Sequence, residues 1–212
     1  MALDPMALEL YVYLLHRDLT MRDTAPCRAD PPTVGRFAER YAGRRIFVRD
    51  GETHPSLVAR CAGTLIYTMD GYGLTFEEVC GLADHEVATI VAGVTPDNRL
   101  AEPIRQLKLR EAVGLASELG QLVKLAEMAG FTHKILHEFV AADYLQHAQP
   151  LKRIVDRHSQ LIQAMSRLTA HAAMLAIADS VRESLVKVSH NVDDARSNRT
   201  ATRQPSQGRE AN

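Results

Sequence analysis

"LIYTMDGYGLTFEEV", Leu65–Val79, is the stretch on which the reading of this chain turns. An apolar run at helical spacing leads to Asp70, the Gly71–Gly73 pair interrupts it, and Thr75-Phe76-Glu77-Glu78 begins a new helix. Glycines between two helical patterns mark a turn, so the stretch reads as a junction of two helices with a carboxylate at its corner.

Helical signals continue on both sides. The spacing predicts helices over Pro5–Leu19, Thr33–Tyr41, His54–Met69, Phe76–Leu82, His85–Ala92, Pro103–Leu119, Gly120–Ala129 and Thr132–His147. The breaks carry ordinary punctuation: "APCRADPP", "RDGETHP", "DGYG" and "VTPDN". Asp4 with Pro5 behind it is a helix start, a capping side chain before a residue that needs no N–H partner. Only "RRIFVRD", Arg44–Asp50, alternates well enough for a short strand or extended loop. An all-α fold follows.

From Pro150 to Val188 apolar residues recur at helical spacing, from Leu151, Ile154 and Val155 through Leu161, Ile162 and Met165 to Val181, Leu185 and Val188. One long amphipathic helix is the expectation. Such a stripe exceeds what a small bundle covers, which predicts a homodimer through this helix. His158 and Asp179 on or near the seam, and a drifting heptad, speak against a strict coiled coil. The domain reading is therefore a helical domain over 1–149, the long helix over 150–188, and a disordered polar tail over 189–212. In that tail Arg196, Arg199, Arg203 and Arg209 are available to an acidic partner.

Composition narrows the function. With 212 residues, 46% hydrophobic, the chain can bury a real core. A formal net charge of −1 and the absence of Trp give no basic, aromatic face for nucleic acid. The run "LYVYLL" is far shorter than the ~20 residues of a membrane span, and no basic leader precedes it. A cytoplasmic protein without membrane attachment is expected. The three cysteines, Cys27, Cys61 and Cys80, are widely spaced and odd in number, so they read as buried thiols.

Three segments then stand in a suggestive order. "PCRADPPTVGRF" (Pro26–Phe37), "LTFEEVCGLADHEVATIVAGVTPD" (Leu74–Asp97) and "LVKLAEMAG" (Leu122–Gly130) together resemble the HD superfamily. The branch is that of Rel/SpoT-type alarmone (ppGpp) hydrolase domains, and the likeness covers about half the chain, with an insertion around Arg44–Pro55. The resemblance implies an orthogonal helical bundle of HD type. It also implies a His, an adjacent His-Asp pair and a later Asp around a divalent metal, which activates water for attack on phosphorus. Here the first His falls on Asp30, the His-Asp pair on Leu65 and Ile66, the following acidic pair on Met69 and Asp70, and the last Asp on Glu127. Asp30, Asp70 and Glu127 keep hard oxygens suited to Mg²⁺ or Mn²⁺, but Leu65 and Ile66 offer none. The metal motif is degenerate, no cofactor is expected, and Mn or Mg enters only if the site is active, with Asp70 and Glu127 as its catalytic groups.

For a nucleotide ligand, Lys124 and the cluster Arg105, Lys108 and Arg110 are candidate phosphate partners. Thr95 and Asn98, in the turn "TPDN", lie where the resemblance puts the nucleotide. His133 and His137 share a helix face, and His147 returns within about 40° of His133 at 100° per residue, an arc that zinc or copper could use or that packing could fill. No nucleophile elbow, Walker loop or dinucleotide fingerprint occurs. "EAVGLASELGQLVKLAE" is similar to helices of MazG-type pyrophosphohydrolases, but their further acidic helix is missing. Three readings follow: a degenerate HD-like module that binds a nucleotide or a protein without turnover; an active metal-dependent nucleotide or alarmone phosphohydrolase; and a helical oligomerisation or adaptor protein.

Overall fold

The computed structural model describes residues 4–20, 28–43, 54–165 and 172–202. Among them the chain forms helices and no strand: α1 (Pro5–Thr20), α2 (Pro31–Gly43), α3 (Pro55–Thr64), α4 (Thr68–Gly71), α5 (Phe76–Leu82), α6 (His85–Val94), α7 (Glu102–Leu115), α8 (Glu118–Glu138), α9 (Ala141–Gln146), α10 (Ala148–Ala164) and α11 (Ala172–Thr202). The all-α expectation holds, and a long C-terminal helix is present. The strand or loop expected over Arg44–Asp50 lies outside the described residues, as do Cys27, Arg203 and Arg209.

Helix starts are chemically explicit. The Asp4 carboxylate accepts from the backbone N–H groups of Met6 and Ala7. Thr75 and Glu78 exchange side-chain and backbone hydrogen bonds at the start of α5, and Asp84 and Ser117 cap α6 and α8.

α8 is the axle. Apolar residues bury on every side of it, Leu119, Leu122, Val123, Leu125, Met128, Phe131 and Ile135 among them, and a helix hydrophobic all round belongs at the centre of a fold. α2, α3, α6, α7 and α11 all pack on it. Two expected breaks are absent here. The chain does not break at Gly120 or at Gly130; it breaks at Ala116–Ser117, where Ser117 accepts from Gly120 N–H. Gly130 is a contact residue, since a Cβ there would lie 3.1 Å from the Ala29 Cβ.

α2 and α3 cross at glycines. A Cβ on Gly63 would sit 2.9 Å from the Gly35 Cα, and one on Gly35 would collide with the Thr64 hydroxyl and the Arg60 carbonyl. Arg60 ties the same layer to α1 and α2 through Glu9, at 3.0 Å, and Glu39, at 3.4 Å. Gly63→Ala is therefore expected to cost about 1–3 kcal/mol, the ordinary range for overpacking, read from the midpoint of urea unfolding. An unchanged midpoint would show that the two helices can separate freely.

The C-terminal third departs from expectation. The predicted helix over Pro150–Val188 is two helices, because Met165 turns to ψ 100° and ends α10. α11 then packs back on α8, α9 and α10. Leu151, Val155, His158, Leu161, Ile162, Met174, Val181, Leu185 and Val188 are all buried within the chain. One continuous cluster runs from Leu8 to Ala195, so packing shows no boundary at residue 149. The excess stripe that predicted a dimer is thus covered by the bundle itself. Nor does order stop at Ser189: α11 continues to Thr202, burying Val192 and Ala195, and Asn191 donates to the Tyr144 hydroxyl at 3.0 Å. Arg196 and Arg199 therefore belong to a helix. No described helix is long and apolar enough to cross a membrane.

Candidate functional site

Between the α3–α4 junction, α8 and α10 lies a cavity of about 490 Å³, within the range of small-molecule sites. Its apolar walls include Ile66, Val94, Leu109, Phe131 and Ile154. Its polar groups are Arg28, Tyr67, Asp70, Lys124, Glu127, His147, Arg157 and His158.

The opening stretch builds one side. α3 ends at Thr64, a turn carries Leu65–Tyr67, and α4 brings Asp70 to the corner. Two side chains after α6 hold that corner by its backbone: Thr95 Oγ1 donates to the Ile66 carbonyl at 3.4 Å, and Asn98 Nδ2 to the Asp70 carbonyl at 2.8 Å. The Arg28 guanidinium donates to Asp70 Oδ2 at 3.2 Å and lies 5.2 Å from the centre of the Tyr67 ring. Gly71 permits this approach, since a Cβ there would stand 2.6 Å from Arg28 Nη1. Lys134 of α8 anchors the Arg28 carbonyl at 3.1 Å. Burial raises the Asp70 carboxyl above its usual range, Arg28 opposes this, and Glu127 adds to it.

α8 supplies the second pair. Lys124 and Glu127, one turn apart, form an ion pair and are both buried, and Lys124 Nζ donates to the Val94 carbonyl at 3.2 Å. Burial pushes the Glu127 carboxyl up, but Lys124, with Arg157 behind it, brings it below the usual value. Beside them His158 is 3% exposed and meets Phe131 edge-on, centroids 5.1 Å apart. Burial lowers its pKa to about 3, so the imidazole is neutral. Three buried atoms here lack a hydrogen-bond partner: Asp70 Oδ1, His158 Nδ1 and Glu127 Oε2, the last of them held by the Lys124 ammonium as an ion pair. Arg157 also reaches this wall, and no described residue makes a hydrogen bond or ion pair with it.

Of the expected site residues, Asp70, Glu127 and Lys124 meet at this cavity. Asp30 does not line it. It caps α2, accepting from Thr33 N at 3.1 Å and Thr33 Oγ1 at 2.7 Å, with its side chain 55% exposed. The three-carboxylate metal site therefore does not assemble, and no group of three His, Cys, Asp or Glu suited to a metal occurs among the described residues. Leu65 is fully buried, while Ile66 presents hydrocarbon to the cavity. Thr95 and Asn98 shape the corner from behind. Arg105, Lys108 and Arg110 turn away, to Glu102, Glu111 and Gln160. The three-histidine arc also separates: the His133 and His137 rings are 4.5 Å apart near Phe37, whereas His147 packs on Phe139. Cys61 is buried, its thiol pushed up to about 11 by that burial.

Arg28, Tyr67, Arg157 and His158 are the site residues that sequence reading passed over. Arg28 sits two places before Asp30 in a segment already singled out. His158 interrupts an otherwise apolar stripe, which is the signal of a polar group with a task in the core.

Comparison of the chain with protein-family models, with curated proteins and with solved structures returns no match.

Proposed function

We propose that this chain is a ligand-binding module of degenerate HD type, which holds a nucleotide in the α3–α8–α10 cavity without hydrolysing it. The observation that carries the reading is that both cavity carboxylates already have a resident cation, Arg28 on Asp70 and Lys124 on Glu127. Carboxylates so engaged are poor ligands for a divalent ion, because binding one would displace a buried ion pair. The wall at Ile66 and the displacement of Asp30 to a helix cap point the same way.

A panel of mono-, di- and triphosphate nucleosides with Mn²⁺ tests this by thermal unfolding and by release of phosphate or pyrophosphate. The expected result is a rise in Tm with at least one nucleotide, a few degrees at a hundredfold excess over Kd, and no product. Steady turnover would return the phosphohydrolase reading. No response to any ligand would favour the adaptor reading, for which α1 offers an exposed apolar line, Met6, Leu10 and Tyr13.

A further inference from the structure

Three cationic side chains and two carboxylates line the cavity, and the two carboxylates are each held by one of the cations. With His158 neutral, one positive charge is left over, and it belongs to Arg157. This guanidinium, half-buried against apolar walls, has no hydrogen bond from a described residue and only the Glu127 carboxylate, already paired with Lys124, within electrostatic reach, a combination that favours a planar anion able to accept two parallel hydrogen bonds. The rest of the lining is hydrocarbon, the Phe131 ring and the Tyr67 phenol, and the unpartnered Asp70 Oδ1 calls for a hydrogen-bond donor.

We infer that the cavity takes a ligand with one anionic group, seated on Arg157, a flat apolar or aromatic body against Phe131, Ile66 and Ile154, and an N–H or O–H that reaches Asp70. This rests on the ligand-binding reading above and narrows it. A chain of phosphates carries three or four charges into a site with one free cation, and the surplus would stay desolvated and unpaired. A cyclic mononucleotide and an aromatic carboxylate both have the required chemistry.

Calorimetric titration of the full chain distinguishes these sources. The probes are 3′,5′-cyclic AMP and cyclic GMP, indole-3-acetate with its neutral partner indole-3-acetamide, and ATP and GTP. The expected result is binding by at least one monoanion, tenfold or more tighter than ATP or GTP. If the carboxylate is the binder, it should also exceed its amide tenfold. Arg157→Met should weaken the monoanion at least tenfold while Arg157→Lys keeps part of the affinity. The comparisons on the unaltered chain stand even where a variant fails to fold. Triphosphates binding as tightly as the monoanions, or Arg157→Met binding unchanged, would overturn the inference and leave ligand binding intact. Silence from every probe would remove both.

Discussion

Glu127→Gln is expected to lower the stability of this protein by about 3–5 kcal/mol, the usual cost of breaking a buried ion pair by removing one partner. Glu127 is 8% exposed and Lys124 4%. Glutamine keeps the size and a carbonyl acceptor, so the change isolates the charge. What remains is an ammonium in the core whose one other partner is the Val94 carbonyl. A drop in Tm of about 10 °C follows for a chain of this size. Lys124→Met strands the opposite charge, but a carboxylate can take a proton, so its cost should shrink as the pH is lowered. Replacing both, Lys124→Met with Glu127→Leu, should recover most of the loss, because neither charge is left alone. Denaturant unfolding of the parent and the three variants measures each of these costs. Stability of the Gln variant within about 0.5 kcal/mol of the parent, the usual scatter of a surface change, would show that water reaches the pair.

Acidification should unfold the protein through His158. Burial holds its folded pKa near 3, whereas an unfolded histidine titrates near 6.5. Between those values the unfolded chain binds one more proton than the native one, so stability falls as pH falls. The stabilisation is complete above about pH 6.5 and is lost progressively down to about pH 3, by roughly 1.4 kcal/mol per unit. Glu127, with its folded pKa lowered, has the same sign but acts only below its unfolded value near 4.3. Asp70 has the opposite sign: its folded pKa is raised, so it favours the native state as it takes up a proton. The fall in stability from pH 6 to 5 is therefore set by His158, since Asp70 can only oppose it. His158→Leu should flatten the stability profile there by about 1.4 kcal/mol per unit, whatever its effect at neutral pH. A slope identical to the parent's would mean that the native imidazole charges freely.

The two predictions concern residues of unequal legibility. Glu127 and Lys124 were readable because the resemblance pointed to their helix. Their mutual pairing follows from spacing one turn apart. His158 was visible only as an oddity in an apolar stripe. Asp30 misled, since its place before Pro31 suits a helix cap as well as a metal ligand, and local chemistry took it. Arg105, Lys108 and Arg110 share a helix with Leu109, but only Leu109 faces the cavity; the charged residues find partners at the surface.

By itself the sequence determined the helices and most of their ends. Proline, glycine and capping side chains act within a few residues, and the apolar period shows which face is buried. The tertiary structure alone decided the rest. The turn at Met165 has neither glycine nor proline to announce it, and it exists because α11 folds back on helices made earlier in the chain. Gly130 lies inside α8, where Ala29 and, on α2, Val34 occupy the space a side chain would take. Arg28 meets Asp70 across 42 residues, and Arg157 reaches the same cavity from α10. Contacts at such separations leave no periodic trace, since the free energy that selects them comes from burial and charge pairing in three dimensions.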